Sequence, residues 1–125
     1  MERLRQRADY LAAAKGVRAP AAAFTLQARR RGDAHPARVG FTVSKKVGHA
    51  VERNRVRRRL KEMVRLAAGE RMQAGYDYVL VGRREALTLP FVRLAADLAS
   101  ALRRIHAEPR QRPRPARPAG DESSQ

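Results

Sequence analysis

A chain of 125 residues is long enough for one compact domain and too short for two comfortable ones. Hydrophobic residues make up 43% and aromatics only 5%, so a core exists but is built mainly from Val, Leu and Ala. Twenty-eight Lys and Arg against twelve acids give a net charge of +16, a self-repulsion that a polyanion relieves through counterion release. Twenty-four of those cations are arginine, whose planar fork fits phosphate oxygens and stacks on bases. Nucleic acid is therefore expected as partner ahead of a membrane surface, since no long basic amphipathic helix stands alone. No stretch approaches the roughly 18 apolar residues of a membrane span. No apolar segment follows Met1–Arg7 as in a secretory signal, and the absence of cysteine excludes disulfides and Cys-based zinc sites. A cytoplasmic protein is the simplest expectation.

From Arg7 to Lys15 the Ala-rich sequence predicts a short helix, stopped at Gly16 as a C-cap. Between Ala21 and Arg30, Phe24, Leu26 and Ala28 alternate with Thr25, Gln27 and Arg29, the period-two pattern of a half-buried strand. Gly32, Asp33 and Pro36 mark a turn. Val39, Phe41 and Val43 then alternate with small or polar residues, predicting a second strand able to pair with the first as a hairpin. After Gly48 the period changes to that of a helix with Val56, Leu60, Met63, Val64 and Ala67 on one stripe. Tyr78–Val81 is a continuous apolar run suited to a strand covered on both faces. A last helix is expected with Thr88 as its cap, Pro90 in its first turn, and Phe91, Leu94, Ala95, Leu98, Leu102 and Ile105 as its buried face. The predicted order is helix, strand, strand, helix, strand, helix: an α+β, two-layer sandwich of sheet and helices. The domain is expected over residues 1–106. Residues 107–125, rich in Pro and Arg, are expected to form a disordered tail that cannot bury enough apolar surface to order itself.

The chemistry is carried by the run SKKVGHAVERNRVRRRLKE, residues 44–62. On a helix, Asn54, Arg58, Lys61 and Arg65 fall on the side opposite Val56 and Leu60, with Arg55 and Arg57 flanking them and Arg53 nearer the apolar edge. Between His49 and Ala68 there are seven Lys or Arg and two acids, too few acids to knit the face together as helical ion pairs. A cationic ridge of this kind is a phosphate-binding surface, and Asn54 adds the donor and acceptor that a base edge or 2′-hydroxyl requires.

This run resembles the signature of the bacterial ribonuclease P protein family, in which an Arg-Asn-Arg helix follows a Lys-Lys-Val-Gly loop. Asp9-Tyr10 upstream and Gly75–Val81 downstream fit as well, so the resemblance spans roughly residues 3 to 106. It implies a ribosomal-protein-like α+β sandwich with a left-handed βαβ crossover, a topology that general rules disfavour. It implies a protein subunit that binds the catalytic ribonuclease P RNA and the 5′ leader of precursor tRNA, assisting the endonucleolytic cut that makes the mature tRNA 5′ end. Arg53, Asn54, Arg55, Arg57, Arg58, Lys61 and Arg65 would face the RNA subunit. A leader cleft between the first helix and the sheet would use Tyr10, Arg18, Phe24, Phe41, Ser44, Lys45 and Lys46, with the aromatic rings stacking on unpaired bases. The plain alternative for Phe24 and Phe41 is core packing. Ala14 and Gln27 stand where the family often has aromatics, which thins the stacking platform and leaves the electrostatic part of leader binding intact.

The acids inside the domain are scattered, with Asp77 read as a turn or ladder-end residue, and the three histidines show no metal or acid–base spacing. No catalytic residue and no metal ligand is therefore expected on the protein, and Mg2+ would sit at the RNA active site of the holoenzyme. No small-molecule substrate and no membrane partner is expected. Two other classes fit parts of the sequence: a general or ribosomal RNA-binding protein, disfavoured by the joined Lys-Lys-Val-Gly and Arg-Asn-Arg elements, and a self-sufficient nuclease, which needs carboxylates converging in space.

Overall fold

The computed structural model describes residues 2–107, the side chain of residue 70 excepted. Five strands and three helices follow in the order β1 (Glu2–Arg3), α1 (Arg7–Ala14), β2 (Val17–Pro20), β3 (Phe24–Arg30), β4 (Arg38–Thr42), α2 (Ala50–Ala67), β5 (Tyr76–Gly82) and α3 (Phe91–Ala107). They form one mixed sheet, β1-β4-β5-β3-β2, in which β4 runs parallel to both β1 and β5 while β3 runs antiparallel to β5 and β2. The α+β class is as predicted. The two shortest strands, β1 and β2, carried no sequence pattern of their own and were not expected.

The expected hairpin of β3 with β4 does not form. β5 lies between them, pairing along its length with β3 and in parallel with β4, so that β4, α2 and β5 make a βαβ unit. Burial is the reason: Tyr78, Val79 and Leu80 are at most 1% exposed, and only a central strand has both faces and both edges covered. The connection from Arg31 to Ala37 then has to step over one intervening strand, about 10 Å at two strand spacings. It is held to the start of β5 by Arg31 N donating to Gly75 O and Gly75 N donating to His35 O, both at 2.8 Å.

Alternation along the strands gives the sheet two unlike faces. Phe24, Leu26, Ala28, Val39, Tyr78 and Leu80 pack beneath α2 and α3, which contribute Val56, Leu60, Met63 and Val64, and Leu94, Leu98, Ala101, Leu102 and Ile105. The other face is covered only in part, by α1, around a small second core of Leu4, Ala13 and Val79 with Tyr10 and Val81 against it. The two-layer sandwich thus gains a partial third layer. Gly16 does not cap α1 through a left-handed conformation; a Cβ there would meet the Ala28 carbonyl oxygen at 2.1 Å, so glycine lets the chain turn tightly against β3. Gly40 is the floor on which the Tyr10 ring rests, since a Cβ would lie 2.4 Å from the Tyr10 hydroxyl oxygen. That hydroxyl donates to Leu4 O at 3.3 Å. Gly40→Ala is expected to lift Tyr10 and α1 off the sheet at a cost of about 1–3 kcal/mol, the usual range for overpacking, read as a lower urea midpoint with m unchanged.

Two further details differ from expectation. Thr88 does not cap α3; it ends a 3-10 turn at Arg84–Leu87, and Pro90 stands immediately before the helix, its carbonyl accepting from Arg93 N and Leu94 N. Ala107, expected in the tail, belongs to α3, and the rest of that stretch lies outside the described residues. The end of α3 is fixed by His106, whose Nε2 lies 2.7 Å from the Tyr78 hydroxyl, which also accepts from Gln73 N. Burial pushes the Tyr78 hydroxyl up to about 12 and His106 below its ordinary value, so this pair is neutral and structural.

Candidate RNA-binding surface

The ridge of α2 is presented as the sequence predicts. Asn54, Arg55, Arg58, Lys61 and Arg65 are exposed, while Arg53 and Arg57 are half-buried at its flanks. Arg57 donates to the Asn54 amide oxygen at 2.9 Å, fixing the amide and leaving its NH2 outward for a ligand. Arg65 alone among these has an acid partner, Glu62, at 2.5 Å. Among the described residues no ion pair engages Arg53, Arg55, Arg57, Arg58 or Lys61, and these cations remain available to phosphate. Arg59 is different: it turns inward and donates to Ala86 O at 2.6 Å, tying α2 to the 3-10 turn after β5.

The loop bearing Ser44, Lys45 and Lys46 leads from β4 into α2 and exposes all three. A clamp across the chain holds it. Arg84 donates to Val47 O at 2.5 Å and reaches Glu52 at 3.3 Å, while Glu52 accepts from His49 N at 2.8 Å, closing the first turn of α2. The backbone hydrogen bond from His49 and the Arg84 guanidinium hold the Glu52 carboxyl below its usual range.

The proposed leader cleft is only partly assembled. Tyr10 and Arg18 belong to the face partly covered by α1, Tyr10 over Gly40 and Arg18 beside Gln27 in the β2–β3 ladder. Phe24 does not: it is 0% exposed beneath α2 and α3, and no base can reach its ring in this fold. Phe41 is also on the helix-covered face, half-buried near α2. Parity is the reason for Phe24, which is in phase with Leu26 and takes the core packing that was its plain alternative, whereas Phe41 also borders a hollow with Tyr10. The α1-side face is instead floored by Thr25, Val81 and Thr42, side by side in the register, and by Gln27 beside Val79. Their period-two alternation with Phe24, Leu26 and Leu80 was the available signal.

At the other end of this face Asp77 sits fully buried between its ladder neighbours Arg29 and Arg38. Arg38 donates to both its carboxylate oxygens at 2.8 Å, Arg31 donates at 2.6 Å, and Arg29 stands 3.8 Å away. Asp9 of α1 joins through Arg29 at 3.5 Å and Arg38 at 3.4 Å, and Asp33 is paired with Arg31. Burial alone would raise the Asp77 pKa, but hydrogen bonds from Arg38 and Arg31 outweigh it and hold the carboxyl below its ordinary value. The three carboxylates are linked through shared arginines, and their oxygens are engaged by guanidinium groups. Among the described residues no three His, Asp or Glu side chains are placed to hold a metal ion.

The two walls meet at the open edge of β4. Arg57 and Lys61 of α2 border the same hollow as Tyr10, Gly40, Phe41 and Arg3, so the ridge continues around the sheet edge onto the α1 side. The family model described as Ribonuclease P matches residues 1–106. The chain belongs to the ribonuclease P protein family. It is 50% identical over 107 residues to the ribonuclease P protein component of Ruegeria pomeroyi, covering 83% of this chain and 86% of that one. It is 48% identical to that of Gluconacetobacter diazotrophicus, covering 82% and 89%. The ribonuclease P protein of Thermotoga maritima superposes with a TM-score of 0.69 at 30% identity, covering 84% of this chain and 98% of that chain. Membership in the ribonuclease P protein family makes this an RNA-binding component of a tRNA-processing ribonucleoprotein. Among the described residues no helix is long and apolar enough to cross a membrane.

Proposed function

We propose that the α2 ridge binds ribonuclease P RNA and that the face beside α1, entered past Tyr10 and the Lys45–Lys46 loop, binds the single-stranded 5′ leader of precursor tRNA. The observation that carries this reading is the continuity of the cationic surface around the edge of β4, which lets one small protein touch two RNA molecules at once. Catalysis then belongs to the RNA subunit with its Mg2+, and the protein lowers repulsion between the two polyanions. Leader binding on this floor is mainly electrostatic and polar, with Tyr10 the aromatic that borders it. Residues 1–106 act as the RNA-binding domain.

The test is cleavage of precursor tRNA by a bacterial ribonuclease P RNA at low Mg2+, with and without the protein. Restored cutting at the mature 5′ end, with none by the protein alone, is the expected result. Tight RNA binding without any effect on cleavage would replace this reading with a general RNA-binding one. Cutting by the protein alone would place an active site on it.

A further inference from the structure

The edge of β4 offers more than charge. β1 covers it only as far as Val39, with Glu2 N donating to Ala37 O at 2.8 Å and Leu4 N to Val39 O at 2.9 Å. Backbone groups alternate sides along a strand. The next outward pair therefore belongs to Phe41, whose N–H and C=O have no strand residue across from them. Phe41 also lines a hollow together with Val39 and Val64, with Arg3, Lys61 and Arg65 as its cations and Glu2 as its acid. Arg65 is held by Glu62, which leaves Arg3 and Lys61 as the cations without an ion-pair partner among the described residues.

An aromatic ring on an apolar floor, one backbone donor beside one backbone acceptor, and cations at the rim together match an unpaired nucleobase and its flanking phosphates. We propose that this hollow takes one unstacked base of the RNA that α2 binds, with Phe41 against the base, the Phe41 peptide groups on its edge, and Lys61 and Arg3 on the phosphates. The inference deepens the reading above and rests on it for the identity of the RNA. An added protein strand fits poorly, because a single residue's outward groups precede the Ser44–Val47 turn and the rim is cationic. The leader fits less well, since this hollow is walled by Lys61, Val64 and Arg65 of α2 and by no residue of α1, although Phe41 also borders the hollow beside Tyr10.

The experiment uses the full chain with fluorinated phenylalanine at its three Phe positions, Phe24 serving as a buried control. Adding ribonuclease P RNA is expected to shift the Phe41 fluorine resonance relative to Phe24, and a single-stranded leader oligonucleotide is not. In parallel, chemical probing of base edges on ribonuclease P RNA is expected to show an unpaired base protected by the parent and reactive again with Phe41→Leu. Affinity should fall about tenfold with the salt slope unchanged. An unmoved Phe41 resonance in the bound complex would overturn the inference, as would a shift caused by the leader alone or a Phe41→Leu footprint identical to the parent. Failure of the parent to bind ribonuclease P RNA at all would instead remove the functional reading on which it rests.

Discussion

Replacing Arg57 and Arg58 together with alanine is expected to weaken binding of ribonuclease P RNA on the order of 100-fold at low salt. Two charge-assisted contacts at about 1.5 kcal/mol each supply that loss. The slope of log affinity against log salt should shrink by about two phosphate contacts, roughly 0.7–0.9 each, in a titration repeated across a salt series. Neither side chain has an acid partner among the described residues, and Arg58 is exposed, so little folding stability should be lost. Arg59→Ala on the same helix is the contrasting variant. It breaks the bond to Ala86 O and should lower the thermal midpoint while changing the salt slope less. An unchanged slope in the Arg57/Arg58 variant would remove those residues from the interface.

Asp77→Asn is expected to be the most destabilising single substitution, at about 3–5 kcal/mol, because it strands two hydrogen-bonded arginines and a third nearby around a site that is 0% exposed. On a domain of this size that is a fall of more than about 10 °C in thermal midpoint. The pH dependence has a definite sign. The folded pKa lies below the ordinary value of 3.8, so the stabilisation is fully present above about pH 4 and is lost as pH falls through the folded value. Parent and variant should therefore differ fully at neutral pH and converge in acid, as followed by urea unfolding at a series of pH values. A constant difference down to the acid limit would show that the carboxylate charge is not what the arginines require.

The ridge of α2 was legible because helical periodicity assigns both the buried stripe and its opposite face from spacing alone. Val56, Leu60, Met63 and Val64 are buried and Asn54, Arg58, Lys61 and Arg65 exposed, as their positions require. The leader cleft was less legible. A resemblance names its residues without their strand parity, and parity sends Phe24 into the core while Phe41 stays at the sheet edge, bordering a hollow with Tyr10. Asp77 reads from the sequence as a turn or ladder-end residue, yet an acid leading the buried run Asp77–Leu80 demands a partner. The cluster Arg29–Arg31 one strand away was the hint.

By itself the sequence determined the class of partner, the α+β composition, the cationic helix face and the buried stripes, since these follow from net charge and from periods set by local geometry. Only the tertiary structure decided that β5 enters between β3 and β4, because strand order is a long-range choice made by covering Tyr78–Leu80 on every side. That choice aligned Arg29, Asp77 and Arg38 across three strands and left the edge of β4 open beside Lys61. It joined two surfaces 40 or more residues apart in the chain, as between Tyr10 and Arg57, into one. Contacts of that separation leave no period in a sequence and arise only when the sheet closes.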